Sequence, residues 1–273
     1  MNKIWDIITY KGNSIACAVL TAMFTLIPED VFKFDLIHCD WSETICIIVN
    51  RLIACVVVFI VVNVLYWWYR RKRTSVSISE RTFSIKIEYG DLLKVENGKK
   101  VIDFDECFTT KVGEKTEEIK PGSLCGQYLI QKPIDDMAAL IVASGVKTKG
   151  TSQYNQQTAF MPGTIVPRGN DLLMAFTELD VDGRGVMTYG KYVNCLDFLW
   201  REIDKYHGTD DVYLPVIGSR ITRFDRELTQ QELLDIIIDS YRLSQHKLKL
   251  PNVLHIVCLK REGFSLNDVF GVS

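Results

Sequence analysis

The sequence predicts an N-terminal two-helix transmembrane hairpin followed by an α/β domain, in which helices cover both faces of a mixed sheet. Three observations carry this prediction. Apolar residues are concentrated in the first seventy positions of the 273-residue chain, four consecutive cations follow at 70–73, and strand-like and helix-like patterns alternate from there onward. The formal net charge of −2 is too small to favour nucleic acid as a partner.

The stretch 46–68 is the stronger of two predicted membrane spans. Its last seventeen residues, 52–68, contain a single strongly polar side chain, Asn63. As a helix this part rises roughly 26 Å, and the residues before it extend the length to the roughly 30 Å of a bilayer core. Aromatic residues at 67–69 and the sequence RRKR at 70–73 follow at once, which is the pattern of a cytoplasmic membrane exit.

The other predicted span, 14–28, is shorter, and a signal-peptide core is the competing interpretation because lysines precede it. A second span follows it in place of a small-residue cleavage site, which favours a hairpin over residues 1–73. The connection 29–44 is acidic and both flanks are basic, so we expect both termini in the cytoplasm and a multi-pass protein of the inner membrane. Small residues recur every fourth position at Ser14, Ala18 and Ala22, which permits close helix packing.

Residues 74–81 are polar and serine-rich, and we interpret them as a linker to a cytoplasmic domain at 82–273. That domain is long enough to bury one substantial core. Five of its segments have the composition of strands: 82–95, 101–108, 163–179, 211–218 and 252–259. Three segments have the pattern of helices, and Thr229 is the predicted N-cap of the last: 136–146, 189–207 and 227–248.

Familiar catalytic and metal-binding patterns are weak in this sequence. The segment 180–191 begins like a calcium loop, but Lys191 stands where a bidentate glutamate is required, so a turn is predicted. The segment GSLCG at 122–126 lacks the order of a nucleophile elbow. The eight cysteines lie singly and the four histidines are far apart, which favours reduced thiols and argues against a metal site.

The segment 212–225 ends a hydrophobic strand in a glycine turn with two arginines. Gly218 and Ser219 expose consecutive backbone N–H groups, which can form an anion-binding nest. Arg220 and Arg223 add guanidinium groups suited to phosphate, although a solvated loop is the competing interpretation. Glycine-bearing loops also occur at 89–93 and 121–126, and loops at the carboxyl ends of strands are where α/β sheets bind ligands.

Together these features resemble a macro domain, the fold that binds ADP-ribose and related nucleotides. Gly90-Asp91-Leu92 matches the end of the family's first strand, and the resemblance implies that Asp91 receives the adenine amino group. The family's Asn-Ala-Ala-Asn segment is replaced by FDECF at 104–108, which is a clear departure. Its two phosphate loops align with 123–126 and 218–224.

The resemblance covers residues 82 to about 262 and implies a set of ligand-binding residues from these loops, with no catalytic residue, metal or cofactor. The set is Asp91, Leu92, Phe104, Cys107, Phe108, Ser123, Leu124, Cys125, Gly126, Gly218, Ser219, Arg220, Ile221, Thr222, Arg223 and Phe224.

A membrane hairpin joined to such a domain looks most like the membrane effector of type II Thoeris anti-phage defence in bacteria. The resemblance implies a partner TIR-domain enzyme that makes an ADP-ribose conjugate, with histidine–ADP-ribose expected. It further implies that the effector binds this signal, forms a homo-oligomer and disrupts the lipid bilayer, with death of the cell.

Two other functions stay open. A membrane-tethered ADP-ribosyl hydrolase would need a base near the position of the family's second Asn, where Asp105 or Glu106 could act. A passive anchor that reads ADP-ribose would need only one membrane span. The sequence therefore favours a ligand-gated membrane effector, with hydrolase and anchor as the alternatives.

Overall fold

A computed structural model describes residues 10–33, 42–115, 118–219, 222–261 and 263–269. The chain divides into two compact units, Met1–Arg73 and Thr74–Ser273. This division lies directly after the basic block at 70–73, at the end of the region for which the sequence predicts membrane spans.

The first unit contains two helices, α1 (Tyr10–Leu26) and α2 (Glu43–Arg71). At 29 residues α2 extends about 44 Å, and among the described residues it is the one helix that is long and apolar enough to cross a membrane. The 17-residue α1 falls short of that length. The predicted span 46–68 thus lies within one apolar helix, whereas a hairpin that crosses the membrane twice, with both termini in the cytoplasm, stays a prediction.

A 3₁₀ turn at Glu29–Phe32 packs against the start of α2. Asn50 is buried and its Nδ2 donates to the Phe32 carbonyl oxygen at 2.8 Å. The Arg51 guanidinium lies 3.0 Å from the Glu29 carboxylate. These contacts place the polar residues at the start of α2 against the turn. The turn thus provides hydrogen-bond and ion-pair partners that lipid could not provide.

Asn63, the polar residue in the middle of α2, is 2 % exposed. Its Nδ2 donates to the Phe59 carbonyl one turn earlier at 2.9 Å, and its Oδ1 has no hydrogen-bond partner among the described residues. The small residues of α1, Ser14, Ala18 and Ala22, are exposed, so this ladder faces away from the buried side of the helix.

The second unit is built on a mixed sheet. Its strands are β1 (Ser75–Ser79), β2 (Ser84–Tyr89), β3 (Lys99–Asp105), β4 (Thr148–Thr151), β5 (Thr158–Phe160), β6 (Ile165–Arg168), β7 (Asp171–Leu179), β8 (Gly185–Met187), β9 (Val212–Pro215), β10 (Arg223–Phe224) and β11 (Val253–Cys258). Nine of these form one sheet within the described residues, in the order β1-β2-β11-β9-β3-β7-β8-β10, with β6 beside β7; β4 and β5 pair separately. The central strands β2, β11, β9, β3 and β7 run parallel to one another.

Helices cover both faces of this sheet. The helices α3 (Leu124–Gln131) and α4 (Met137–Ser144) pack on one face, and α5 (Tyr189–Tyr206) and α6 (Gln230–Leu243) pack on the other. Strand β7 shows the alternation: Met174 and Phe176 are buried toward α5 and α6, and Leu173 and Ala175 toward α3 and α4. The predicted mixed sheet between helix layers is confirmed.

The N-terminus of α6 is closed by the predicted cap. The Thr229 hydroxyl accepts a hydrogen bond from the Glu232 amide at 3.2 Å, and the Glu232 carboxylate accepts from the Thr229 amide at 2.7 Å. This capping box satisfies two of the amides that a helix leaves without internal partners. The helix ends at Leu243, five residues before the predicted end at 248.

The predicted linker at 74–81 is wrong, because Ser75–Ser79 forms β1. This strand pairs antiparallel with β2, and Val76 and Ile78 are buried while the serines between them face outward. A strand with one solvated face needs apolar residues only at alternate positions, so serine at the others gave it the composition of a linker. The second unit therefore begins at residue 74 instead of 82.

Two further segments differ from the predicted strands. The segment 82–95 forms β2 only to Tyr89, and Leu92–Lys94 is a 3₁₀ turn. The segment 163–179 is a hairpin of β6 and β7 that turns at Gly169, where φ is +61°. Neither α3 (Leu124–Gln131) nor the pair β4–β5 is predicted from the sequence.

Candidate functional site

A cavity of about 520 Å³ opens where the five parallel strands end. Parallel strands bring their carboxyl ends to one edge of the sheet, and the volume lies within the roughly 300–1,000 Å³ of small-molecule sites. Every parallel strand contributes lining residues: Gly90–Leu92 after β2, Asp103–Asp105 in β3, Phe176, Thr177 and Leu179 in β7, Pro215 and Val216 at β9, and Val257 and Leu259 at β11.

Asp91 lies at the cavity wall directly after β2. Its Oδ1 accepts a hydrogen bond from the Leu93 amide at 3.1 Å, and Lys94 lies 3.7 Å from Oδ2. The Asp91 side chain is 46 % exposed, so the carboxylate is oriented by the 3₁₀ turn and still accessible from solvent. A carboxylate held in this way can accept hydrogen bonds from an amino group of a ligand.

The wall below β3 contains Asp105, whose carboxylate shapes the following turn. It is 7 % exposed, and its Oδ1 accepts from the amides of Cys107 at 2.9 Å and Thr109 at 3.1 Å. Burial raises the pKa of Asp105, and the two amide hydrogen bonds oppose that rise. The turn directs Cys107 and Phe108 away from the cavity, and Phe108 packs in the core 5.4 Å from Phe160 between ring centroids.

Glu106, the other residue considered as a base, does not line the cavity. It is 3 % exposed, its Oε1 accepts from the Leu179 amide at 3.1 Å, and its Oε2 lies 3.6 Å from Lys149. Both oxygens are thus occupied by groups that join the end of β3 to β7 and to the β4 segment.

The N-terminus of α3 reaches the cavity through three predicted residues, Ser123, Leu124 and Cys125. Ser123 is the N-cap: its hydroxyl accepts from the Gly126 amide at 2.9 Å and donates to the Lys120 carbonyl at 2.7 Å. The first amides of a helix have no acceptor inside it and favour anions. Burial raises the pKa of Cys125 well above its ordinary value, so this thiol is neutral at physiological pH.

Gly126 was predicted to contact ligand, but it does not line the cavity. It lies against the preceding loop, where a Cβ atom would come within 2.1 Å of the Lys120 carbonyl oxygen. The glycine is required by this close approach of two backbone segments.

The loop after β9 contributes Gly218, Ser219, Thr222 and Arg223 to the cavity. Gly218 has a φ of +83°, and a Cβ atom there would lie 2.9 Å from the Phe224 ring. Phe224 itself packs behind the loop, and it does not line the cavity. The predicted residues Arg220 and Ile221 lie outside the described residues.

Two anchors hold this loop in place. The Tyr192 hydroxyl donates to the Ile217 carbonyl at 3.0 Å, and Arg261 donates to the Ser219 carbonyl at 2.6 Å. These two hydrogen bonds engage carbonyl oxygens of the loop, and they thereby hold its backbone in place beside the cavity.

Arg184 is a lining residue that the sequence analysis missed. The carboxylate of Asp180 accepts from the amides of Asp182 and Arg184, both at 2.9 Å, and so closes the predicted turn between β7 and β8. Strand β10 pairs with β8, which brings Arg223 to the same edge of the sheet. Arg184 and Arg223 therefore both line the cavity near its β8–β10 side, and the Arg184 guanidinium also pairs with the Asp182 carboxylate at 2.9 Å.

The remaining lining residues that sequence reasoning missed come from several separate segments. They are Asp103, Glu118, Ile119, Lys120, Gln127, Phe176, Thr177, Leu179, Gly183, Gly185, Pro215, Val216, Val257 and Leu259. Most follow or end parallel strands, so the order of strands in the sheet, rather than a local motif, determines their place. No group of three or more potential metal ligands occurs among the described residues.

Charge is unevenly distributed along the cavity. In the order of strands, Asp91 follows β2 near one end of the sheet, Asp103 and Asp105 lie in the central strand β3, and Arg184 before β8 and Arg223 in β10 lie at the other end. The arrangement suits an elongated molecule that donates hydrogen bonds at one end and carries negative charge toward the other.

Two solved structures are similar to this chain. A mutant macrodomain of Oceanobacillus iheyensis is 10% identical, with a TM-score of 0.45 over 69% of this chain and 91% of that one. The macrodomain of Thermus aquaticus DarG is 12% identical, with a TM-score of 0.38 over 64% of this chain and 97% of that one.

Sequence comparison is more specific. The Thoeris protein ThsA of Bacillus amyloliquefaciens (strain Y2) is 28% identical over 197 residues, which are 67% of this chain and 65% of that protein. The chain therefore matches just under two thirds of the length of this relative. The family model described as "Thoeris protein ThsA, Macro domain" matches residues 85–259, from β2 to the end of β11 and across the whole cavity. This chain belongs to the family of ThsA macro domains.

Proposed function

We propose that this protein is the membrane effector of a type II Thoeris anti-phage system and that its macro domain is the receptor for an ADP-ribose-type signal. The observation that carries the proposal is the cavity at the carboxyl ends of β2, β3, β7, β9 and β11, where Asp91, the N-terminus of α3 and the described residues Gly218, Ser219, Thr222 and Arg223 meet. Membership of the ThsA family supports the same function.

In this proposal the adenine ring occupies the β2 side of the cavity. Asp91 is oriented by the Leu93 amide and accepts the adenine amino group through its accessible carboxylate. Leu92, Phe104 and Val257 supply apolar surface beside it. A planar base with one exocyclic donor matches an apolar wall with one fixed acceptor.

The diphosphate lies between the N-terminus of α3 and the loop after β9. The first amides of α3 have no acceptor inside the helix, and Gly218 adopts a positive φ that only glycine readily adopts, whereas the Ser219 amide already donates to the Val216 carbonyl oxygen at 3.3 Å. Arg223 and Arg184 add charge at the far side, where planar guanidinium groups bind phosphate or carboxylate oxygens in pairs. We favour histidine–ADP-ribose, made by a partner TIR-domain enzyme, as the signal.

Binding without hydrolysis is supported by the state of the two residues considered as bases. Asp105 already accepts two backbone hydrogen bonds, and Glu106 is buried outside the cavity with both oxygens engaged. A general base must reach the proton that it removes; Glu106 lies outside the cavity, and the Oδ1 of the lining residue Asp105 is engaged by two backbone amides. We therefore propose a receptor in preference to a hydrolase.

The helical unit is the proposed effector. A ligand shifts an equilibrium only if it binds one state better than another, so the signal must favour an assembled form of the protein. In that form α2, with its basic residues Arg70 and Arg71 at one end, crosses the membrane and assembly of several copies disrupts it.

Vesicle leakage tests the proposal. The full chain is inserted into dye-loaded vesicles and exposed to histidine–ADP-ribose, ADP-ribose or AMP. We expect leakage with the conjugate, none with AMP, and recovery of intact conjugate. Conjugate cleaved without leakage would identify a tethered hydrolase, and binding without leakage or cleavage would identify a passive anchor.

A further inference from the structure

The helix α4 is apolar on both of its sides. Met137, Leu140 and Ile141 pack toward the core with α3 and the sheet. The opposite side is exposed although it carries no polar group, and Val142 is 80 % exposed. We call this side the α4 face; it consists of Ala138, Ala139, Val142 and Ala143.

The two ends of α4 carry opposite charges. Asp135 and Asp136 precede the helix, and Asp136 caps it by accepting from the Ala139 amide at 2.8 Å. Lys147 follows the end of the helix after Gly145, its C-cap. Asp135 and Lys147 are exposed and form no ion pair within the described part of the chain, whereas the nearby Lys132 and Lys149 pair with Asp171 and Glu178. The α4 face is therefore bounded by a carboxylate at one end and an ammonium group at the other.

We propose that the α4 face is the contact by which this domain pairs with a second copy of the chain. In a two-fold arrangement the two α4 helices lie antiparallel. Each contact between one residue of the first copy and another residue of the second copy then occurs twice, with the two copies exchanged. Placing the axis at the middle of the face sets Ala138 against Ala143 and Ala139 against Val142. The same register brings Asp135 next to Lys147 of the second copy.

The side chains suit such pairing. Alanine at three of the four positions permits helix axes to approach to about 8 Å, the lower end of helix-packing distances. Antiparallel helices also oppose their dipoles, which adds to the attraction between the charged ends. An interfacial lipid contact would favour bulky or aromatic residues and cations on the rim, whereas Asp135 and Asp136 border this face.

The contact is small and depends on the proposed assembly step for its role. One face of a two-turn helix buries far less than the roughly 800 Å² per partner of a standard interface. Pairing through it is therefore weak between free molecules, and it becomes significant where copies share a membrane at high effective concentration. It goes beyond the proposed function by assigning the surface through which the macro domains meet.

Zero-length cross-linking tests the register directly. Full-length chains with light and heavy nitrogen are mixed in vesicles, with and without histidine–ADP-ribose, and treated with a carbodiimide that condenses a carboxylate and an amine into an amide. We expect an amide between Asp135 and Lys147 that joins light to heavy peptides. Absence of this amide under both conditions overturns the inference. A separate titration with the ligand tests the proposed function alone, so failure of the inference and failure of the proposed function can be told apart.

Two sets of variants sharpen the test. Val142→Glu places a charge in the middle of the face, so we expect the mixed-label product to fall about tenfold. Leu243→Glu is the matched control, because Leu243 is an 85 % exposed apolar residue at the end of α6. Equal loss in both variants, or a product unchanged in Val142→Glu, contradicts the proposal.

Charge reversal provides a rescue. Asp135→Lys alone and Lys147→Glu alone each set like charges against one another in the pair, and both should self-associate less than the natural chain. A mixture of these two variants restores opposite charges at both ends of the contact, so association of unlike chains should exceed that of either variant alone. Failure of the mixture to exceed them overturns the antiparallel register.

Discussion

The two units of this protein place their apolar residues in opposite ways. In the helical unit large apolar side chains of α2 such as Leu52, Val56 and Ile60 are more than half exposed, while Asn50 and Asn63 are buried. In the macro domain the large apolar residues are buried in two cores, and polar and apolar residues together line a cavity. An exposed apolar surface of this extent is expected to face lipid or protein instead of water. Substitutions are therefore expected to act mainly at buried polar residues in the first unit and at closely packed positions in the second.

The largest effect is expected from steric overpacking in the macro domain. Gly126→Ala sets a Cβ atom 2.1 Å from the Lys120 carbonyl oxygen. We expect the free energy of unfolding of this unit to fall by about 3 kcal/mol. Hydrogen exchange of the amides of α5 and the sheet measures it in the full chain.

Gly122→Ala is the control for this effect, since no atom lies within 4 Å of the added Cβ. Equal protection of the two variants from hydrogen exchange would show that the surrounding structure accommodates the added Cβ atom at Gly126. It would contradict the view that close packing limits substitutions in this unit.

The next effect is on ligand affinity. Arg184→Ala and Arg223→Ala each remove a guanidinium group from the cavity, so we expect each to weaken binding of histidine–ADP-ribose about tenfold or more. Calorimetry on the full chain measures this. Arg201→Ala, which removes an exposed arginine paired with Asp197 on α5, should leave affinity unchanged. Unchanged binding in both cavity variants would remove the arginines from the site.

The pH dependence of stability reports on Asp105. Burial raises its pKa above the ordinary value of 3.8, so the folded state holds the proton more tightly than the unfolded state. Stability contributed by this group is therefore lost as pH rises from about 3.8 through the raised pKa. Asp105→Asn can keep the acceptor for the Cys107 and Thr109 amides, and its pH profile of unfolding should lack this loss. Superimposable profiles would contradict the effect.

The smallest effect is expected in the helical unit. Asn63→Leu removes the one buried polar group in the middle of α2, whose Oδ1 has no partner among the described residues. We expect assembly in vesicles to weaken by about 0.6 kcal/mol, the usual size of a polar contact between membrane helices, without a change in ligand affinity. Val64→Leu, at the exposed neighbouring position, is the control. Altered ligand affinity in Asn63→Leu would contradict the view that this residue acts in assembly and not in ligand binding.

The sequence predicted those elements that have a local cause. Helices α5 and α6 and the Thr229 cap follow from apolar spacing and a capping box within a few residues of one another. Strand β1 was missed because its alternate serines face solvent. Helix α3 was missed because it is short and contains Gly126, which is retained for contact with a distant loop backbone and is poor for helix formation.

The candidate site was predictable to the extent that its loops end strands. Asp91, Ser123 and Gly218 reach the cavity as expected, since Asp91 and Gly218 lie in turns after β2 and β9 and Ser123 caps α3 beside them. Cys107 and Phe108 do not, because the Asp105 carboxylate bends the chain away, a contact that no local pattern reveals. Arg184 joins the site through the order of strands in the sheet, which depends on pairing between distant segments.

The most direct test of the central claim is calorimetric titration of the full chain in detergent with histidine–ADP-ribose, followed by analysis of the recovered ligand. We predict saturable binding that Arg184→Ala and Arg223→Ala weaken and Arg201→Ala does not, with the conjugate recovered intact. No binding of the conjugate or of ADP-ribose would contradict the assignment of the cavity, and recovery of cleaved conjugate would contradict its role as a receptor.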